Sequence, residues 1–138
     1  MSCFKDYLTI CPPAPSEVLA LIGVRNKDKL LQHTMNIVQQ NLQELEVFFA
    51  RHRDIFDWFP PRASTIGFLR LKGRLLRMAK GGASGFCEAL LEKKQVLFLP
   101  AHVYDFPDEY VRLGFGRRNL SECLLQLEEF LQESKSFY

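Results

Sequence analysis

Tryptophan and histidine are scarce in this chain, with one of the first and three of the second in 138 residues. The four cysteines, Cys3, Cys11, Cys87 and Cys123, are scattered without a CxxC pair. Neither they nor the histidines have zinc-ligand spacing, so a metal module and a disulfide-stapled scaffold are both excluded. Free thiols in a reducing cytoplasm are the expectation. Charge of one sign is also lacking: 18 basic against 16 acidic residues leave a formal net charge of +2. That gives no electrostatic basis for a nucleic-acid partner. Basic residues cluster locally, at Lys72-Arg74-Arg77-Lys80 and Arg117-Arg118, and read as solvated faces. No apolar run approaches the roughly 20 residues that span a bilayer, so no membrane partner is expected. No charged segment followed by an apolar core opens the chain, so no signal peptide is expected. Internal repeats and low-complexity tracts are absent, and no Ser/His/Asp or Cys/His arrangement stands out.

What is present is ordinary globular composition, 47% apolar and 25% charged, with 12 Phe to fill a core. The length suits one domain. Pro12, Pro13 and Pro15 make the first 15 residues irregular. A short helix opens at Ser16-Glu17 and runs to about Gly23. Its Val18–Ile22 run is apolar all round and needs burial against something, which suggests a missing partner surface. From Asn26 to about Arg53 the apolar stripe Leu31, Met35, Val38, Leu42, Leu45 and Phe49 predicts one long helix, with His33 and His52 among its polar positions. A coiled-coil seam is one use for that stripe; its breadth and its span of under four heptads favour packing on a sheet.

Asp57–Pro61 ends the helical region. Thr65–Leu71 reads as a strand apolar on both faces, hence central. Ser84 caps a helix through Lys93-Lys94. Gln95–Leu99 is a second short strand, stopped by Pro100. The following loop holds His102, Tyr104 and Asp105, a polar cluster placed where active-site loops often sit, or simply an exposed loop.

Tyr110–Asn119 organises the rest. Strand alternation puts Val111, Leu113 and Phe115 on a buried face and Tyr110, Arg112, Gly114 and Gly116 on the other. A guanidinium then projects over a shelf made by two residues without side chains. That arrangement suits bidentate capture of a carboxylate or phosphate, and equally a surface Arg paired with a nearby acid. Asn119-Leu120-Ser121-Glu122 starts an amphipathic terminal helix with a capping-box pattern. The sum is an α+β fold: a two-layer sandwich of a small sheet of about three strands with helices, preceded by a long helix.

The run Tyr110–Leu131 resembles the C-terminal signature of class I/II (fold-type I) pyridoxal-phosphate-dependent aminotransferases. Two further segments resemble the same family in the same order: Asp6–Cys11 with Ala14–Glu17, and Pro61–Phe68, its first small-domain strand. The resemblance implies that residues 1–25 are the tail of the large domain and 26–138 the interdomain helix and small domain. It implies that Arg112 grips the substrate α-carboxylate, and that the loop of His102, Tyr104 and Asp105 faces the cofactor cleft. Pyridoxal phosphate, an amino-acid or 2-oxo-acid substrate, a homodimer and a cytoplasmic location are implied in the same way. No lysine here matches the family's Schiff-base position, and the Gly-rich turn and the acid that partners the pyridine nitrogen are missing. The expectation is therefore a C-terminal portion, inactive and without cofactor on its own, whose transaminase chemistry needs a large domain. The alternative is a non-catalytic α+β interaction module descended from such a domain.

Overall fold

The computed structural model describes residues 13–73, 75–76 and 81–135. The Asp6–Cys11 segment and the basic residues Arg74, Arg77 and Lys80 lie outside the described residues. The chain divides into two compact units, Met1–Met35 and Asn36–Tyr138.

In the first unit, helix α1 (Ala14–Arg25) follows Pro13 and carries Pro15 in its first turn, where a missing N–H costs nothing. Asn26 ends it, its backbone N–H and its side-chain Nδ2 both donating to the Ile22 carbonyl, at 3.1 and 2.8 Å. No residue of α1 is buried, and Val18, Leu19, Leu21, Ile22 and Val24 are all at least half exposed. The apolar run identified in the sequence is therefore uncovered. Helix α2 (Lys27–Arg51) begins in this unit and continues into the second. Leu31 and Met35, counted in the apolar stripe, are exposed.

Within the second unit α2 becomes a core element. Asn41, Leu45, Phe48 and Phe49 are buried, with Val38 and Leu42 partly covered. The predicted packing of the stripe thus holds for the C-terminal half of the helix only. Four strands follow among the described residues: β1 (Phe56–Trp58), β2 (Ile66–Leu71), β3 (Leu99–Pro100) and β4 (Tyr110–Gly114). Their order is β1-β2-β4-β3, every pair antiparallel. The fourth strand, beyond the three expected, is β1. Three residues are too few to show alternation, and pairing of Phe56 with Leu71 and Trp58 with Leu69 is what makes them a strand. The expected strand Gln95–Leu99 shrinks to the two residues Leu99–Pro100, paired with Arg112 and Val111, although Val96 and Phe98 still bury alternate side chains.

β2 is central, yet only one of its faces is buried. Gly67, Leu69 and Leu71 face the core, while Phe68 is exposed and Arg70 half-exposed. Val111, Leu113 and Phe115 extend the buried face from β4 and beyond its end. Helix α3 (Gly82–Lys94) adds Phe86, Cys87 and Leu90, and helix α4 (Leu120–Lys135) adds Leu127, Phe130 and Leu131 to the same cluster. Each fully buried Leu or Phe contributes about 1.5–3 kcal/mol of transfer free energy. Edge-on aromatic pairs such as Phe49–Phe56 and Phe86–Phe130 reinforce the packing. The architecture is the expected α+β sandwich with helices on one sheet face. Both outer strands stop at proline: Pro100 closes β3, and Phe59-Pro60-Pro61 follows β1.

Candidate functional site

The sheet's other face carries the site. Val111 and Leu113 are 0% and 2% exposed, which fixes the alternation and turns Arg112 outward. Across the ladder Arg112 lies opposite Phe68 on β2 and Leu99 on β3. A Cβ added at Gly114 would meet nothing within 4 Å, so the space beside the arginine is open. The second glycine of the predicted shelf behaves differently. A Cβ at Gly116 would lie 3.0 Å from Thr65 Cβ and 3.1 Å from its Cγ2, so this glycine makes room for the Thr65 side chain.

Of the three polar loop residues, only Tyr104 reaches the arginine. Its hydroxyl accepts a hydrogen bond from Arg112 Nη1, and its ring centroid lies 5.5 Å from the guanidinium carbon. A 3-10 turn (Ala101–Tyr104) holds it there, anchored by fully buried Ala101. Asp105 closes that turn with φ 53°, its N–H donating to the His102 carbonyl at 3.0 Å. Tyr104 meets Phe68 edge-on at 6.2 Å, Phe68 meets Phe106 at 5.9 Å, and Phe106 meets Tyr110 at 4.9 Å. An aromatic row therefore crosses the open face. At its far end Arg70 pairs with Glu109 at 2.9 Å and stacks on Tyr110. The acid-paired surface arginine, one of the two readings open for Arg112, describes Arg70.

His102 goes elsewhere. Ser84 Oγ lies 3.1 Å from its Nδ1 and Asp108 Oδ1 lies 3.7 Å from the same nitrogen. A nucleophilic relay needs the serine and the acid on different ring nitrogens, so these three residues are no triad. They tie the loop to the start of α3, where the Ala83 N–H donates to the Asp108 carbonyl at 3.1 Å. Ser84 sits inside that helix rather than at its cap; Gly81 and Gly82, both at positive φ, lead into it.

Two residues that matter were missed in the sequence. Asn41 is 4% exposed, and its Nδ2 donates to the carbonyls of Phe115 and Arg117 at 2.8 and 2.7 Å. It thereby fixes the turn that follows the arginine strand. The signal was available: Asn41 stands four and seven residues before Leu45 and Phe48, a polar residue inside the apolar stripe. His52, assigned to a polar face, is instead buried. Its ring lies 4.7 Å from Phe48, and its Nε2 is 2.7 Å from Glu128 Oε2. Burial raises the Glu128 pKa, but the His52 hydrogen bond and charge, with help from Gln132 and Arg51, outweigh it and leave the carboxyl below its ordinary value.

Neither Lys72 nor Lys94 is set to form a Schiff base with pyridoxal phosphate. A Schiff-base lysine must reach the neutral amine. Lys94 is held between Glu129 and Glu133 at 3.0 and 2.7 Å, and hydrogen bonds to both raise its pKa. Lys72 is paired with Asp57 at 2.6 Å and bonded to the Arg53 carbonyl. The glycine-led start of α3 resembles a phosphate cradle in outline, but Asp108 already fills it, so close that a Cβ on Gly82 would strike its carboxylate. Among the described residues no group of three His, Cys, Asp or Glu could hold a metal ion, and no helix is long and apolar enough to cross a membrane.

Arg112 and Gly114 touch the rim of a depression of about 440 Å³, but most of its lining, including Leu45, Val96, Leu120 and Leu127, comes from the core side, and neither Tyr104 nor Phe68 lines it. A larger groove of about 640 Å³ lies between α2 and α4. Its acids are already engaged, Glu44 with Ser121 at 2.6 Å and Glu128 with His52, so the arginine face remains the candidate site.

No protein-family model matches this chain, and no curated protein does. Solved structures do. A PLP-dependent aminotransferase from Streptococcus suis is similar over 96% of this chain and 34% of its own, at TM-score 0.80 and 23% identity. The PLP-dependent cyclase OrfR aligns over 95% of this chain and 35% of its own, at TM-score 0.81 and 27% identity. An aspartate aminotransferase from Thermotoga maritima aligns over 95% and 32%, at TM-score 0.70 and 22% identity. The chain spans about a third of the length of each of these enzymes. With its α+β sandwich, the chain has the fold of the C-terminal part of a PLP-dependent aminotransferase.

Proposed function

We propose that this chain supplies the substrate-carboxylate arginine, Arg112, of a PLP-dependent aminotransferase and helps close its active-site cleft. The observation that carries this reading is the setting of Arg112. It projects from a central strand into open space beside Gly114, with a phenol rather than a carboxylate as partner. Its charge is thus available to a ligand. The ligand's shared feature is an α-carboxylate, so the substrates are amino acids and 2-oxo acids, and the arginine leaves their side chains unspecified. The Schiff-base lysine, the cofactor and the phosphate cradle belong to a large domain, to which residues 1–25 form the tail while 26–138 form the long helix and small domain. Homodimeric assembly and a cytoplasmic location complete the proposal; two free thiols, Cys87 and Cys123, suit a reducing compartment.

The test joins this segment to a complete large domain and compares Arg112, Arg112→Lys and Arg112→Ala for transamination. A charge-assisted hydrogen bond is worth about 1.5–3 kcal/mol, so loss of a bidentate pair costs roughly 3–5 kcal/mol of substrate binding. Lys keeps the charge and loses the fork, so it too is damaging. Melting temperature stays near wild type because the side chain lies off the core face. Unchanged turnover in Arg112→Ala sinks the assignment. A second reading, a non-catalytic interaction module, draws on the exposed apolar residues of α1. A stable complex with an unrelated protein, together with failure to restore transamination, favours it.

A further inference from the structure

We infer that Tyr104 is a positioning residue for Arg112, and that the two side chains act as one carboxylate-binding unit. This rests on the reading of Arg112 as the carboxylate anchor. An arginine on an exposed strand face keeps wide rotamer freedom, and a ligand must freeze it. Here the protein has frozen much of it already. The phenol oxygen of Tyr104 accepts from Nη1, and the ring face supports the guanidinium carbon at 5.5 Å. Two contacts from one side chain fix both the position and the plane of the fork.

Tyr104 is itself immobilised. The 3-10 turn that presents it is pinned by buried Ala101 and closed by two backbone bonds, Asp105 N–H to the His102 carbonyl and Phe106 N–H to the Ala101 carbonyl, at 3.0 and 3.3 Å. Phe68, opposite Arg112 in the ladder, braces the ring edge-on. The contact uses Nη1 and leaves the Nε–Nη2 edge as a second fork that matches two carboxylate oxygens. An orienting residue eight positions upstream in sequence, in a turn rather than on the strand, is invisible to any reading of the strand alone.

The test uses the full chain with 15N-labelled arginine. Side-chain signals of Arg112 are assigned by their loss in Arg112→Lys. Sodium acetate is the probe, with sodium chloride as the ionic control. In the wild type the Nη signals of Arg112 are resolved from one another, because rotation of the group is hindered. In Tyr104→Phe they average together, the melting midpoint is unchanged, and acetate affinity drops about three- to tenfold, the cost of ordering one more side chain. Tyr104→Ala goes further in both readouts. An unaltered Nη pattern and unaltered acetate affinity in Tyr104→Phe overturn the positioning role. Acetate binding that is equal in wild type and Arg112→Lys instead overturns the carboxylate reading, while the Nη pattern still decides whether Tyr104 orients the arginine.

Discussion

Replacing Asn41 by leucine removes the one amide that holds the turn after β4. Leu has the same number of side-chain heavy atoms as Asn, branched at the same carbon, and suits a helix. The loss is therefore concentrated in two hydrogen bonds, to the Phe115 carbonyl at 2.8 Å and the Arg117 carbonyl at 2.7 Å. A buried acceptor left unsatisfied costs about 1–3 kcal/mol. The Phe115 carbonyl carries the full penalty; the Arg117 carbonyl is partly covered and recovers some of it from water. The expected destabilisation is about 2–4 kcal/mol. At this chain length 1 kcal/mol moves the melting point by about 3–5 °C, so the drop is about 10 °C. Asn41→Asp is worse at neutral pH, since it aims a carboxylate at two carbonyl oxygens, and recovers in acid when the carboxyl regains a proton. Urea denaturation followed by Trp58 fluorescence measures this directly, because that indole packs against Phe49 and Phe115. Hydrogen exchange over residues 115–118 should rise selectively in Asn41→Leu. Stability within about 0.5 kcal/mol of wild type, the range of an ordinary surface substitution, refutes the reasoning.

Gly67→Ala drives a Cβ into the Trp58 ring, 2.7 Å from Cζ3, and is expected to lower the free energy of unfolding by about 1–3 kcal/mol through overpacking; a neutral result in urea denaturation shows that the indole moves freely. Cys87 resists alkylation in the folded chain, because burial first, and Asp108 and Glu88 after it, push the thiol up to about 12; mapping by mass spectrometry after a short maleimide pulse should find Cys123 modified well before Cys87. The Glu128 carboxyl has a folded pKa below its unfolded one, so its contribution is present above the unfolded value and disappears as pH falls through the folded value. Glu128→Gln should therefore flatten the acid side of the stability curve, and an unchanged curve argues that the His52 pair is not coupled to folding.

Much of the fold was legible wherever one residue's surroundings come from its near neighbours in sequence. Alternation alone assigned Val111, Leu113 and Phe115 to the core and Arg112 to the open face. Helical spacing found both ends of α2 and the start of α4 within two residues. What failed depended on distant partners. β1 exists because β2 lies beside it, and three residues carry no period of their own. His52 looks polar on a helix wheel until Glu128, 76 positions away, supplies its partner. Leu31 and Met35 continue the apolar period of Leu45 and Phe49, but periodicity does not say where coverage by the core begins. The site divides in the same way: strand alternation located Arg112, while its contact with Tyr104 depends on the course of the loop that returns over the sheet.

The prolines at the two sheet margins have a consequence for how this chain behaves in company. An open face bearing Phe68, Phe106 and Tyr110 is adhesive, and a β-sheet with such a face grows readily when a free margin can accept a foreign strand. Here each margin is only two or three residues long. Pro100 has no N–H to offer at one, and Pro60-Pro61 interrupts the donors just past the other. Edge-to-edge stacking is denied a long template at both sides, so the aromatic face can stay uncovered without recruiting further copies of itself.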